Sequence, residues 1–311
     1  MLVSAPRHKP AYSGGVTSAL ATLRTRPGIW TTTHESLPAP RVGELASEIE
    51  SLGYSALWIA EAWGREAFTS ASLLLAGTSR LVVATGIANI WARDAVAAAN
   101  AARTLNAAYD ERFVLGLGVS HAPLVTRLRG HDYAHPLAAM RDYLAAMDAA
   151  PMFAPEANQA YARVIAALGP RMLELAATQA DGAHTYLVTP EHTARARAAL
   201  GGGFLVVEQA VVLGQDREEF LRRAHDYLEI YTGLENYRAS WRRLGFVEED
   251  FVRGGSARLA DAMVVHGDET TVQSAIDAHR AAGADHVALQ VLGADLTTPP
   301  IDDWRRLATL A

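Results

Sequence analysis

Residues 79–121 constrain the fold more than any other part of the chain. They hold two apolar, strand-like runs, 81–84 and 113–117, each ending in a glycine-bearing turn with small polar residues. Between the runs, residues 94–109 supply the length of helix that a parallel crossover needs. A strand, turn, helix, strand, turn unit of this kind places both turns at the carboxyl end of a parallel sheet. In α/β enzymes the chemistry sits at that end.

The same alternation runs along the chain. Strands are expected at 28–31, 56–60, 81–84, 113–117, 161–168, 183–188, 204–213 and 285–292. The run ALWIA at 56–60 is apolar on both faces, as a buried parallel strand should be. Helices are expected at 40–52, 68–78, 94–109, 136–149 and 268–282, with two more opened by Gly169-Pro170 and Thr189-Pro190. Eight such repeats indicate an α/β fold, a closed (β/α)8 TIM barrel, with an open doubly wound sheet as the alternative. Residues 214–284, between strands seven and eight, exceed one crossover and form a helical insertion. Its part at 217–244 carries Tyr227, Tyr231, Tyr237 and Trp241, read as helix packing or a dimer face. Residues 26–311 are expected to form one barrel domain, preceded by an N-terminal extension at 1–25.

Composition removes several chemistries. The chain has no cysteine, which excludes disulfides, thiolate catalysis and cysteine-ligated metal centres. Lys9 is the only lysine among 28 basic residues, and it lies in the extension, so Schiff-base chemistry is unsupported. A net charge of −6 gives no footprint for nucleic acid. No apolar run reaches the length of a membrane span, and the first residues lack the apolar core of a signal peptide. The expectation is a soluble, cytoplasmic protein with a small-molecule substrate.

Four segments at strand ends can carry chemistry. Thr85-Gly86-Ile87-Ala88-Asn89 follows strand three, and its glycine permits close approach of a planar ligand or simply a tight turn. Gly116-Leu117-Gly118-Val119-Ser120-His121 follows strand four. It lacks a full GxGxxG pattern, but Ser120 can donate to a phosphate or ring oxygen and His121 can act as acid or base. Gly169-Pro170-Arg171 starts a helix whose free amides suit a phosphate, or is plain helix initiation. Glu61 ends strand two, placed to bind substrate or a proton in transit, or to pair with Arg65 at the surface. Arg93-Asp94 reads as a helix-start ion pair, and His184 and His286 as packed structural histidines. Neither HExxH nor another metal constellation is evident, and Ser70, Ser72 and Ser120 lack a nucleophile elbow.

Taken in order, the phrases GIWTTT at Gly28, ALWIAEAWGREAF at Ala56, LVVATGIANIWARD at Leu81 and ERFVLGLGVSH at Glu111 form a specific set. With LGPRMLELAATQADGAHTYLVTPEH at Leu168 and AGADHVALQVL at Ala282, the chain resembles the bacterial luciferase-like monooxygenase superfamily, in particular its coenzyme F420-dependent oxidoreductase branch. The resemblance covers nearly all of residues 26–295.

It implies a dimeric barrel enzyme that moves a hydride between F420 and a small organic substrate. An FMN-dependent monooxygenase and a non-catalytic cofactor-binding barrel are the alternatives. It implies a non-proline cis peptide at Gly86-Ile87, a bond costing about 3–4 kcal/mol, as a ledge for the ring. Thr85 and Asn89 would flank the ring, Val119, Ser120 and His121 would face cofactor and substrate, and Gly169, Pro170 and Arg171 would hold the phosphate. Relatives often carry Asp-His after strand two where this chain has Glu61-Ala62, so Glu61 and His121 are the residues expected to handle protons. The lysine-bearing phosphate site of the sugar-phosphate branch has no counterpart, since no lysine follows Lys9.

Overall fold

The computed structural model describes residues 18–62, 64–214 and 216–310, so residues 1–17 of the expected extension lie outside the described residues. The strands are β1 (Gly28–Trp30), β2 (Ala56–Ala60), β3 (Val82–Asn89), β4 (Phe113–Gly118), β5 (Ala162–Ala166), β6 (Gly182–Thr185), β7 (Phe204–Leu213), β8 (Val264–Gly267) and β9 (His286–Val291). Helix α1 (Ser18–Leu23) precedes β1. Helices α2 (Ala39–Ser51), α3 (Ala67–Ala76), α4 (Ala95–Ala108), α5 (Pro136–Asp148), α6 (Pro170–Gln179) and α7 (Pro190–Leu200) each follow one strand. After β7 come α8 (Arg217–Leu228), α9 (Glu235–Arg243) and α10 (Ala257–Met263). Helix α11 (Glu269–Ala281) leads to β9, and α12 (Ile301–Leu307) follows it.

Every strand pairing is parallel. Consecutive strands pair from β1 to β7, and β9 pairs with both β7 and β1, closing an eight-stranded barrel. Strand β8 lies outside that ring. Residues Gly182–Thr185 of β6 pair with Phe204–Val207, the first part of β7. Val264–Gly267 of β8 pair with Ala210–Leu213, the last part. Ala210 and Val211 also pair with β9, so β8 occupies the side of β7 that β6 has vacated. The run AMVVHG is short and follows a helix directly. Only the free edge of β7 makes it a strand, which is why the sequence pattern did not reveal it.

The wide sheet–helix layer is apolar because alternate strand residues face outward to the helices. The remaining residues fill the barrel: Trp30, Trp58, Val82, Ala84, Val114, Val164, Val206 and Ala288. Leu20 and Leu23 of α1 join this inner cluster, so α1 stoppers the amino end of the barrel. Burying each such leucine contributes about 1.5–3 kcal/mol. A polar tie reinforces the stopper. His286 Nε2 accepts from Trp58 Nε1 at 3.0 Å and its Nδ1 faces the Leu23 carbonyl at 2.8 Å. That pattern requires neutral imidazole protonated at Nδ1, and burial pushes the His286 pKa down to about 4. His184 is buried in the same interior, edge-on to Trp58.

Several boundaries differ from the sequence pattern. β3 continues through the expected turn at 85–89, whereas β5 and β6 stop at Ala166 and Thr185, earlier than the apolar runs suggested. The extension of β3 depends on a bulge. Against β2, Ile59 pairs with Thr85 but Ala60 pairs with Ile87, leaving Gly86 over. Against β4, pairing jumps from Ala84–Val114 to Ala88–Leu117. The expected cis peptide at Gly86-Ile87 is corrected: no cis peptide occurs among the described residues. The extra residue is accommodated by the bulge itself, which shifts register without the cost of a cis bond.

Candidate functional site at the barrel mouth

The bulge sets the ledge at the carboxyl end. Val82 and Ala84 point into the barrel, so Gly86 takes the next inward position, and a Cβ there would fall 2.4 Å from Trp30 Nε1. Glycine is required because the indole, at the end of β1, lies against the ledge. Trp30 Nε1 is buried without a partner among the described residues, as is Asn89 Nδ2 at the end of β3. Two donors, at the carboxyl ends of β1 and β3, are thus uncommitted. Thr85 is committed elsewhere: its hydroxyl donates to the Gly116 carbonyl at 2.6 Å and accepts from the Gly116 amide at 2.8 Å. The hydroxyl restores the pairing that the bulge removes from the ladder. Ile87 is partly exposed and packs against Gly118.

Glu61 is buried at the end of β2 and braces this ledge. Its Oε2 accepts from the Asn89 amide at 2.8 Å, and its Oε1 accepts from the Ala67 amide at 3.3 Å. Oε1 also pairs with Arg93 Nη2, which lies 2.8 Å from Glu66 Oε1 as well. Two sequence-based pairings are therefore corrected. Arg65 turns from Glu61 to donate to the His34 carbonyl at 2.8 Å, because the chain after β1 offers it several carbonyls. Arg93 pairs with glutamates rather than Asp94, whose carboxylate caps α4 by accepting from the Ala97 amide at 2.8 Å.

The loop after β4 is clamped from two sides. Trp91 Nε1 donates to the Val119 carbonyl at 3.0 Å and Tyr133 donates to the Ser120 carbonyl at 2.8 Å. Between them Ser120 is held at φ 57°, in the left-handed region that costs a non-glycine residue about 1–2 kcal/mol. This turn aims His121 across the mouth, where its ring lies 5.8 Å from that of Tyr237. Burial lowers the His121 pKa to about 4, with a hydrogen bond to the Asn236 side chain opposing, so the imidazole is neutral. Its Nδ1 has no partner among the described residues.

At the start of α6, Gly169 supplies no capping side chain and Pro170 no N–H, as the sequence suggested for an anion-holding helix start. Arg171 is exposed there. The structure adds Arg243 from α9, whose Nη2 donates to the Leu168 carbonyl at 3.0 Å. Arg195 donates to the Arg243 carbonyl at 2.6 Å, and the pKa of Arg243 is lowered by burial and by that second guanidinium. Positive charge is thus concentrated at this helix start.

Sequence reasoning missed what spans the mouth. Trp30 and Tyr186 rings lie 5.0 Å apart, Tyr186 and Tyr231 5.5 Å, and Tyr231 and Tyr237 4.9 Å. With His121 these form an aromatic bridge from β1 past β6 to the loop after β4. Tyr227 of α8, Tyr231 in the turn that follows, and Tyr237 and Trp241 of α9 therefore pack inward within the chain. His34, fully buried after β1, carries no signal in the sequence pattern; burial and the Arg65 charge lower its pKa to about 4. Glu208, inside the apolar run FLVVEQAVVL, is buried and accepts from the Leu187 amide at 3.0 Å. A charge in the middle of an otherwise apolar strand was the available signal.

Comparison with known proteins places this geometry. Residues 20–286 match the model of the family described as luciferase-like monooxygenase. A Mycobacterium tuberculosis protein named "Putative coenzyme F420-dependent oxidoreductase" is 35% identical over 107 residues, covering 34% of this chain and 31% of the relative. Matches to the curated relatives thus span less than half of their lengths, between 31% and 49%. Among solved structures, the coenzyme F420-dependent tetrahydromethanopterin reductase of Methanopyrus kandleri superposes with a TM-score of 0.68 at 15% identity. That match covers 92% of this chain and 99% of the reductase. The oxygenating constituent of 3,6-diketocamphane monooxygenase from Pseudomonas putida, in complex with FMN, gives a TM-score of 0.68 at 14% identity, covering 91% and 95%. At these identities the structural likeness is one of fold.

Proposed function

This chain belongs to the luciferase-like monooxygenase family, and from that premise we propose that it is an F420-dependent oxidoreductase moving a hydride between the deazaflavin and a small organic substrate. The observation that carries the reading is the Gly86 bulge with its two uncommitted donors, Trp30 Nε1 and Asn89 Nδ2. A deazaflavin ring presents carbonyl oxygens and ring nitrogens, the acceptors such buried donors lack. Ile87 and Val119 offer apolar contact at the same rim, and Ser120 and His121 offer polar groups. The start of α6, with Gly169, Pro170, Arg171 and Arg243, would hold the phosphate.

When bound, the deazaflavin supplies a two-electron hydride centre. The residues of this chain supply orientation and proton handling. Glu61 fixes the Asn89 amide and so the ledge. His121, neutral and with a free ring nitrogen, would hold or take a proton at the substrate side. Glu61 has its oxygens filled by Asn89, Ala67 and Arg93, which favours a positioning part for it.

The aromatic bridge supports a second reading, a barrel that binds a cofactor or none without turnover, because Tyr186, Tyr231 and Tyr237 already cover the mouth. Titrating the ligand-free protein with F420 and FMN, each in both redox states, separates the readings. Tight F420 binding followed by substrate-dependent oxidation or reduction is expected. Micromolar FMN binding with none of F420 would replace the cofactor, and F420 binding without turnover over a broad substrate panel would favour the binder.

A further inference from the structure

Glu208 stands midway along β7, almost wholly inaccessible, and a chain of hydroxyls runs outward from it. Glu208 Oε1 lies 3.4 Å from the Tyr227 hydroxyl, which lies 2.8 Å from that of Tyr186 and 3.2 Å from Gln290 Oε1. The Tyr186 hydroxyl in turn lies 2.7 Å from Gln290 Oε1 and 3.0 Å from the Tyr231 hydroxyl. Tyr227 is buried, whereas Tyr186 and Tyr231 are partly exposed, so the chain leads from the wall of the barrel to its mouth. Tyr186 there packs on Trp30, beside the ledge.

The hydrogens of this chain are counted with Gln290 set so that Oε1, not Nε2, faces both hydroxyls. Its five contacts require a hydrogen each, and the three tyrosines supply three. The carbonyl oxygen of Gln290 and an ionised carboxylate only accept. A protonated Glu208 adds a fourth hydrogen. It donates to Tyr227, Tyr227 and Tyr231 donate to Tyr186, and Tyr186 donates to Gln290, leaving only the longer Tyr227–Gln290 contact unserved. The titratable groups facing Glu208 are Tyr186, Tyr227, Tyr231 and Tyr237, and among the described residues no cation joins the network. An ionised carboxylate here would be buried without a counter-charge, at a cost of several kcal/mol.

We propose that Glu208 is a proton store that feeds Tyr186 through Tyr227, making Tyr186 the proton donor to a carbonyl substrate. The proposal rests on the oxidoreductase reading above. Burial pushes the carboxyl of Glu208 up to about 8, which agrees with the hydrogen count. In the reducing direction the carbonyl carbon gains the electron pair as a hydride from a reduced deazaflavin. The carbonyl oxygen takes the Tyr186 proton, Tyr186 takes that of Tyr227, and Tyr227 takes that of Glu208. Glu208 is left as the carboxylate and regains a proton from solvent through Tyr231, Tyr186 and Tyr227 in turn. Alcohol oxidation runs the same transfers backward.

Infrared difference spectroscopy on the ligand-free protein tests the store directly. Wild type minus Glu208→Gln at neutral pH is expected to show a protonated carboxyl stretch that disappears as pH rises through about 8. Gln can donate to Tyr227 and accept from Leu187, so the fold should hold. Should it not, the wild-type spectrum at neutral minus alkaline pH carries the same band. Tyr227→Phe is expected to raise the midpoint, because the carboxylate loses its hydroxyl donor. Absence of the band at neutral pH, or an unmoved midpoint in Tyr227→Phe, overturns the store. In turnover Glu208→Gln should lower kcat about tenfold or more, with KM little changed, and remove the loss of rate above about pH 8. A wild-type rate and pH profile in that variant overturns the delivery step. A protein that shows the band but does not bind F420 sinks the oxidoreductase reading alone; F420-dependent turnover without the band sinks the proton store alone.

Discussion

The Glu61 carboxylate accepts from the backbone amide of Asn89 at 2.8 Å, so the end of β2 fixes the end of β3 where the bulge has loosened the ladder. The same carboxylate holds Arg93. Glu61→Gln keeps one acceptor but removes the charge, and hydrogen bonds to charged groups contribute about 1.5–3 kcal/mol. Urea unfolding should show a loss of about 2–3 kcal/mol. Unchanged stability with abolished turnover would instead make Glu61 a proton-transfer group.

Gly86→Ala drives a methyl group to within 2.4 Å of Trp30 Nε1. Overpacking of this kind costs about 1–3 kcal/mol. The indole must move, so a change in tryptophan fluorescence should accompany the lower stability. Combining it with Trp30→Phe should restore most of the loss; additive losses would show that the two residues do not touch in solution.

Acid should unfold the protein through its buried histidines. His34, His184, His279 and His286 each have a pKa lowered by burial to about 4, against about 6.5 when unfolded. Below pH 6.5 the unfolded chain binds protons that the folded chain refuses, so the stability present above that pH is lost as pH falls towards 4. Each histidine accounts for roughly 3 kcal/mol by pH 4. Melting temperatures recorded between pH 7 and 5 should fall steeply, and His184→Asn should lessen the slope. A flat profile would mean the imidazoles titrate normally.

Arg243→Ala should weaken F420 about tenfold or more, as expected for one charge-assisted contact, with a smaller salt dependence. Affinity measured by fluorescence titration at two ionic strengths checks this. Equal affinity in the variant would place the phosphate elsewhere.

The barrel was legible because its strands are largely apolar runs: β2, β4, β7 and β9 fall within a residue or two of the runs that announced them. What escaped depended on partners distant in the chain. β3 reads as a turn at Gly86 because the pairing that keeps it a strand comes from Glu61 and from the Gly116 backbone. β8 needs the vacated edge of β7. At the mouth, the motifs after strands three and four were visible as glycine-rich ends. Glu208 and Tyr186 were not, since a buried carboxyl acquires meaning only beside Tyr227, and Tyr227 lies on a helix outside the repeat.

Along β7 the wall passes from one neighbour to another: β6 flanks its first half and β8 its second, on the same side. The lower course of that wall belongs to the closed ring, and the upper course to β8, which lies outside it. None of the pairings that close the ring uses residues 214–267, although their side chains pack on β7 at Ala210 and Val212. The ladder that closes the barrel is thus independent of the segment that brings Tyr231 and Tyr237 to its mouth.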